Sequence, residues 1–295
     1  MKTSVRIPAI VISLLLQGCS TTEQEKISPV VVKNGNVAIA YDKVGSGDTT
    51  ILFVHGWAIN RSFWQQQVDT FSKRYTVVAV DLGGHGESGR NRNSWTINDF
   101  ANDVITVIDS LQLKNVILVG HSMAGDIVVE TALARPKNVI GVIGIDNLND
   151  FISSFSLEEQ KQIDGFIQTL KQNFTETVVA YTKGSLFPEN YADTVSVNRV
   201  INSIRQMDST IATNALAGVI TYSTTEAQEV SKLKLSLHLI ESNRTVVNRD
   251  TLTKYCKAGF YVKTINGTGH YPMIEKPAEF NILLQETIDD IGKGE

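Results

Sequence analysis

The sequence has few cysteines and no excess of positive charge. Only Cys19 and Cys256 occur among its 295 residues, which excludes a disulfide framework and leaves stability to an apolar core. Lysine and arginine number 27 against 31 aspartates and glutamates, giving a net charge of −4. Because the charges form no basic cluster, the electrostatic footprint of a nucleic-acid-binding protein is missing, and no nucleic-acid partner is expected.

The N-terminal apolar run is too short to cross a membrane. It extends from Ile7 to Leu16 and covers ten residues, about half of what a spanning helix needs. Lys2 and Arg6 precede it, and a short apolar run behind positive charges is typical of a secretory signal peptide. Residues 1–18 are therefore predicted to be removed from the mature protein.

The run ends in Leu16-Gln17-Gly18-Cys19, which resembles the lipobox of bacterial lipoproteins. The resemblance implies cleavage before Cys19 and acylation of that residue, and several acyl chains together give a stable membrane anchor. In Gram-negative lipoproteins, a residue other than aspartate directly after the cysteine usually implies sorting to the outer membrane. Ser20 occupies that position here, which implies an outer-membrane location facing the periplasm. The alternative is a secreted protein in which Cys19 is incidental.

After a polar tether at residues 19–28, apolar runs and amphipathic segments alternate. Asn34-Gly35 between two apolar-rich segments predicts an antiparallel hairpin at a sheet edge. The alternation that follows predicts βαβ units around a parallel sheet. Across residues 147–232 the pattern becomes that of several helices, which is typical of an insertion above the sheet. We therefore expect a core of residues 29–146 and 233–295 that carries this insertion as a helical cap.

A serine stands where an apolar strand gives way to a helix. The apolar run Val116–Val119 leads into Gly120-His121-Ser122-Met123-Ala124, and a helical pattern follows. Small residues two positions to either side of Ser122 suit a sharp strand-to-helix turn, which exposes the hydroxyl to a base that can take its proton. The alternative is an ordinary surface serine at a strand end.

Loops at other strand ends offer partners for such a nucleophile. His270, in the glycine-rich loop after the last predicted strand, lies where a general base belongs in the chain order serine, acid, histidine. Gly56 follows another strand and lets Trp57 aim its N–H into the site beside the N–H of Met123, as an oxyanion hole. His55 is expected to bond local backbone and so to have a structural role. The loop Asp81–Ser88 is also assigned a structural role, because it has neither Walker nor dinucleotide spacing.

Together these motifs resemble the α/β-hydrolase superfamily over essentially the whole mature chain. The motifs are His55-Gly56-Trp57, the loop Asp81–Ser88, Gly120–Gly125, and Gly269-His270-Tyr271-Pro272 with Glu275 and Pro277. The resemblance implies an α/β fold with an eight-stranded, mostly parallel sheet and a helical cap between strands six and seven. It fixes the reaction class better than the substrate.

The catalytic acid departs from the commonest pattern of that superfamily. Most members carry it shortly after strand seven, which here corresponds to a position near Thr245 that holds no carboxylate. A minority use the end of strand six, where Asp146 stands, and a carboxylate there would orient His270 and stabilise its imidazolium. Asp250, Glu241 and a serine–histidine pair without an acid remain alternatives, and Asp146 as a loop cap is a further one.

The sequence thus predicts a lipid-anchored serine hydrolase that acts on a small acyl substrate, with Ser122, His270 and Asp146 as its triad. No cofactor or metal is implied, and a monomer is expected. Lactone, amide or carbon–carbon bond cleavage and perhydrolysis remain open, and so does a non-catalytic binding protein on a hydrolase scaffold. Cap aromatics could line an acyl pocket or form the core of the cap itself; they are Phe151, Phe155, Phe166, Phe174, Tyr181 and Phe187.

Overall fold

An eight-stranded sheet forms the centre of the structure, a computed structural model that describes residues 29–188 and 191–294. The strands are β1 (Val31–Asn34), β2 (Val37–Val44), β3 (Thr50–Val54), β4 (Thr76–Val80), β5 (Val116–His121), β6 (Val139–Ile145), β7 (Leu237–Ser242) and β8 (Phe260–Ile265). Their spatial order is β1-β2-β4-β3-β5-β6-β7-β8. Only the β1–β2 and β2–β4 pairs of this described sheet are antiparallel. The mostly parallel eight-stranded sheet is confirmed.

The predicted edge hairpin is β1 with β2. Asn34 pairs with Val37 across the turn, and Gly35 takes the left-handed φ of 57° that a tight hairpin requires of a central residue. From this antiparallel edge the parallel strands run to β8 at the opposite edge, and helices cover both faces of such a parallel sheet.

The strands are apolar on both faces because helices pack on each side. In β3, Ile51 and Phe53 belong to one hydrophobic cluster, and Leu52 and Val54 belong to the other. This alternation follows from side chains pointing to opposite faces along a strand. The first face is covered by α1 (Gln65–Phe71) and α10 (Pro277–Lys293), and the second by α2 (Ile97–Ser110) and α3 (Ala124–Ala134). Two short helices, α8 (Arg249–Tyr255) and α9 (Pro272–Glu275), accompany β7 and β8.

Between β6 and β7 the described chain forms a helical cap, as the sequence predicts. It consists of α4 (Leu157–Gln172), α5 (Phe174–Tyr181), a π-helical turn (Thr182–Leu186), α6 (Thr194–Gln206) and α7 (Ser209–Val230). The start of α4 is fixed by a capping box, in which the Ser156 side chain accepts from the N–H of Glu159 and the Glu159 carboxylate accepts from that of Ser156.

The predicted signal peptide, the lipobox residue Cys19 and the tether all fall within residues 1–28, outside the described residues. Among the helices of residues 29–188 and 191–294, none has the length and apolarity needed to cross a membrane.

Candidate active site

Ser122 sits on a strained turn between β5 and α3. Its φ of 52° lies in the left-handed region, which non-glycine residues occupy rarely and mostly where surrounding structure imposes it. The strand and helix approach closely, since a Cβ on Gly120 would lie 2.2 Å from the carbonyl oxygen of Ala124. The N–H of Ser122 donates to Ile145 O at 3.0 Å, and its carbonyl accepts from Asn147 Nδ2 at 2.6 Å. The backbone is therefore held on both sides, and Ser122 lines a cavity under the cap.

His270 lines the same cavity from the loop after β8. The backbone N–H of His270 donates to the carbonyl of Leu186 in the cap at 2.7 Å. Its own carbonyl oxygen lies 2.7 Å from His121 Nε2. Burial lowers the pKa of His121 to about 3, so this ring is neutral and can donate through Nε2. The Glu275 carboxylate accepts from the backbone N–H groups of the residues on either side of His270, Gly269 at 2.6 Å and Tyr271 at 2.8 Å.

Asp146 faces His270 from the end of β6. It is 6% exposed, and its Oδ2 lies 2.5 Å from His270 Nδ1. Its Oδ1 accepts from the hydroxyl and the N–H of Ser242, at 2.6 and 3.1 Å. Burial acts to raise the pKa of Asp146, but the hydrogen bonds from His270 and Ser242 and the charge of Arg244 outweigh it and hold this pKa well below its usual range. The carboxylate is therefore ionised and can fix the Nδ1–H tautomer of His270.

The structure brings neither alternative acid to His270. Glu241 is 1% exposed and accepts from Asn147 N at 3.2 Å and from Asn149 Nδ2 at 2.8 Å. Burial raises the pKa of Glu241 to about 8, which favours its neutral form at pH 7. Asp250 lies in the first turn of α8 and is exposed to solvent.

The two residues assigned to the oxyanion hole are neighbours of Ser122, Met123 in the chain and Trp57 through the loop that precedes it. A Cβ on Gly56 would lie 3.1 Å from the Cβ of Ser122, so the loop before Trp57 packs directly against the serine. The indole of Trp57 donates to Ala212 O in the cap at 2.7 Å, which fixes this residue in place. Met123 directly precedes α3, where backbone N–H groups have no partner within the helix and favour negative charge.

The motifs assigned structural roles make local contacts. His55 Nε2 accepts from Leu82 N at 3.1 Å, and its Nδ1 lies 2.8 Å from Gly56 O. Burial lowers the pKa of His55 to about 4, so this ring is neutral and suits the two contacts. In the loop that follows β4, Asp81 accepts from the N–H groups of Arg61 and Glu87 and forms an ion pair with the guanidinium of Arg61.

The cavity has a volume of about 90 Å³, well below the roughly 300–1,000 Å³ of pockets for drug-sized ligands. Apolar side chains from core and cap line most of it around Ser122 and His270; they are Trp57, Phe166, Val178, Leu186, Leu216 and Tyr271. Of the six cap aromatics singled out in the sequence, Phe166 and Tyr181 reach this cavity, while Phe187 stacks on Tyr271 beside it.

Ser242 and Arg244 contact Asp146, and neither stands out in the sequence. Ser242 ends β7, next to β6 in the sheet. Since functional side chains gather at the carboxyl ends of parallel strands, its position carries a usable signal. Arg244 lies beyond the strand, and its contact depends on the path of the loop. The described residues contain no group of three or more His, Cys, Asp or Glu side chains that could hold a metal ion.

Comparison with known proteins gives one family and several distant relatives. Residues 49–277 match the family model described as alpha/beta hydrolase fold. The acetyltransferase component of the acetoin cleaving system of Cupriavidus necator is 23% identical over 85% of this chain, which spans 66% of that relative's length. The Karrikin insensitive 2 receptor CA of Petunia hybrida is 23% identical, and the match covers 84% of this chain and 95% of the receptor's length.

Among solved structures, a thermophilic esterase from Thermogutta terrifontis superimposes with a TM-score of 0.75. It is 17% identical, and the match covers 89% of this chain and 97% of the esterase. At this level of identity the likeness demonstrates a shared fold, and the chemistry must be argued from the side chains in the cavity.

Proposed function

The chain belongs to the α/β-hydrolase fold family and is a hydrolase of that fold, and on this premise we propose that it is a serine esterase. The observation that carries the proposal is the juxtaposition of Ser122 and His270 in one cavity, with the buried carboxylate of Asp146 at 2.5 Å behind the imidazole. A serine hydroxyl needs such a base, and the base needs an orienting acid.

In the proposed reaction the Ser122 Oγ attacks the acyl carbonyl while His270 Nε2 takes the hydroxyl proton. The carbonyl oxygen becomes an oxyanion, to which the N–H groups of Trp57 and Met123 donate. His270 then gives the proton to the leaving alcohol, and an acyl-Ser122 ester remains. Water, deprotonated by the same imidazole, then attacks that ester; the carboxylic acid leaves, and His270 returns the proton to Ser122 Oγ. Each oxyanion donor is worth about 3–4 kcal/mol of transition-state stabilisation in enzymes of this kind.

The cavity favours an uncharged, apolar acyl group of few carbons. Its volume is about 90 Å³, and the side chains around Ser122 are mainly aliphatic and aromatic. A charged acyl group would have to shed its water there without an ion partner, at a large cost in free energy. Short aliphatic esters fit this requirement better than long-chain or dicarboxylic ones.

The test is a panel of p-nitrophenyl esters with acyl chains from acetyl to dodecanoyl. We expect kcat/KM to be highest for the shortest chains and to fall as the chain outgrows the cavity. Ser122→Ala supplies the blank, and its turnover should drop by about 10⁴-fold or more. Equal turnover by wild type and Ser122→Ala would contradict the proposed mechanism.

The similarity of this chain to the petunia receptor favours one second candidate function. In it, the protein binds a small apolar ligand in the same cavity without hydrolysing it. A fluorescent apolar probe separates the two functions. Binding without any ester hydrolysis would support the receptor, whereas hydrolysis that depends on Ser122 would exclude it.

We also propose that Cys19 carries a lipid anchor, which would place the hydrolase domain at the outer membrane, facing the periplasm. The support is the sequence Leu16-Gln17-Gly18-Cys19 behind a short apolar run. A monomer on a polar tether of residues 19–28 fits this arrangement.

A further inference from the structure

Arg244 occupies the segment after β7, near the position where most of the superfamily carries the catalytic acid. Its guanidinium Nη2 lies 3.2 Å from Asp146 Oδ2, and its side chain is 31% exposed while that of Asp146 is 1% exposed. A cation therefore occupies a segment that carries a carboxylate in most of the superfamily, and this cation contacts Asp146, the carboxylate directly after β6.

Two donors converge on one oxygen of Asp146. Oδ2 accepts from His270 Nδ1 at 2.5 Å and from Arg244 Nη2 at 3.2 Å, and the two nitrogens are 3.5 Å apart. Since Ser242 satisfies Oδ1, the carboxylate is held at both oxygens, and its plane cannot rotate away from the imidazole without breaking several hydrogen bonds.

The same guanidinium reaches the cap. Arg244 Nη1 donates to the carbonyl of Ser185 at 2.8 Å, within the π-helical turn Thr182–Leu186. The next carbonyl in that turn, Leu186 O, accepts from the N–H of His270 at 2.7 Å. The turn is thus joined to the acid through Arg244 and to the base directly.

We propose that Arg244 is a positioning residue that fastens the turn Thr182–Leu186 of the cap to Asp146 and holds this carboxylate against His270. It acts through its two partners and touches no reacting atom. The kinetic part of the proposal rests on the proposed function, whereas the tether itself does not.

The charge of Arg244 also bears on pH dependence. The guanidinium lies close to Nδ1 of His270, so its positive charge disfavours a positive charge on the imidazole ring. Other ionisable groups face this cluster from the neighbouring elements: Glu241 from β7, His121 from β5, Glu275 and Tyr271 from the loop and helix after β8, and Tyr181 from α5. Burial raises the pKa of Glu241 to about 8 and lowers that of His121 to about 3, so around pH 6 both are mainly neutral.

Amide hydrogen exchange of the full chain tests the tether whatever bond the enzyme cleaves. In Arg244→Gln we expect the amides of residues 182–187 to exchange about fivefold faster, the factor that corresponds to one net hydrogen bond. Arg244→Lys should exchange faster as well, because an ammonium cannot reach both Asp146 and Ser185. Arg249→Gln, the same chemical change on the exposed first residue of α8, should match the wild type.

The pH profile of ester hydrolysis separates the charge from the tether. In Arg244→Gln the acid limb of kcat/KM should move to higher pH, because a positive charge beside the imidazole is removed, while in Arg244→Lys, which keeps the charge, the limb should stay at its wild-type position. Unchanged exchange of residues 182–187, or an acid limb that does not move in Arg244→Gln, would overturn the proposal. If the wild type hydrolyses no ester, the proposed function fails, and the exchange rates alone decide the role of Arg244.

Discussion

At the scale of single residues, the environment of Asp146 determines what His270 can do. A carboxylate this buried would favour its neutral form, yet its partners keep it ionised. A neutral Asp146 could donate a proton to Nδ1 and hold the wrong tautomer, in which Nε2 carries the hydrogen and cannot take the proton of Ser122. The low pKa of Asp146 is therefore part of the proposed mechanism.

Asp146→Asn should lower kcat for a short ester by about 10³–10⁴-fold with little change in structure. The amide of asparagine would donate to Nδ1 of His270 and impose the wrong tautomer. Asp250→Asn makes the same chemical change at an exposed position of α8 and should keep wild-type kcat. A large loss in Asp250→Asn alone would reject Asp146 as the acid.

The sequence predicts these site residues unevenly, for a physical reason. Ser122 and His270 are marked by small residues that sharp turns require, and Asp146 by its place at the end of an apolar run. Arg244 carries no such mark, because its proposed role depends on where a loop brings a long, flexible side chain. Such contacts belong to tertiary structure, and no local pattern of residues encodes them.

At the scale of secondary-structure elements, α7 of the cap is joined to α3 of the core by a pair of buried carboxyl groups. Asp126 on α3 is 4% exposed and Glu226 on α7 is 7% exposed. Burial raises the pKa of Asp126 to about 6, although hydrogen bonds from Glu226 and Asn147 act to lower it. Burial and the charge of Asp126 raise the pKa of Glu226 well above its usual range, so at neutral pH Glu226 carries the shared proton.

This contact between α3 and α7 should weaken as pH rises. The raised pKa of Asp126 means that its contribution to stability is fully present below about pH 4 and is lost as pH rises through about 6. A shift of about two units corresponds to roughly 3 kcal/mol. In Asp126→Asn this loss should be absent, so the Tm of the variant relative to wild type should increase from pH 4 to pH 8.

Thermal melts at several pH values measure this difference. Asp289→Asn, an exposed change on α10, should show no comparable trend. A Tm difference between Asp126→Asn and wild type that stays constant from pH 4 to pH 8 would show that the buried pair does not set the pH dependence of stability. The alternation of strands and helices is readable from the sequence, but this pair is not, because α3 and α7 are about 90 residues apart.

At the scale of the whole molecule, the sequence predicts the fold well because the fold depends on simple patterns. Apolar runs such as β3, buried along its whole length, alternate with amphipathic helices, and a helical insertion interrupts them. The shape of the cavity depends on how cap helices pack against the core. That packing decides which aromatic side chains face Ser122, and the helical patterns alone leave it open.

The proposed N-terminal anchor leads to a prediction for the whole molecule in a bacterial cell. With Cys19 acylated, the protein should sediment with the outer membrane, since several acyl chains bind a bilayer stably. Cys19→Ser should remove the site of acylation and release the protein from the membrane fraction, or leave its precursor unprocessed. Fractionation followed by intact-mass measurement checks this, and an unacylated wild type would contradict the anchor.

The proposed function requires above all that Ser122 is an activated nucleophile. The most direct measurement is reaction of the purified protein with a fluorophosphonate, followed by peptide mapping of the adduct by mass spectrometry. We predict one adduct per chain, on Ser122, and its loss in Ser122→Ala. Absence of any adduct on Ser122 in wild type, under conditions where esters are turned over, would contradict the account.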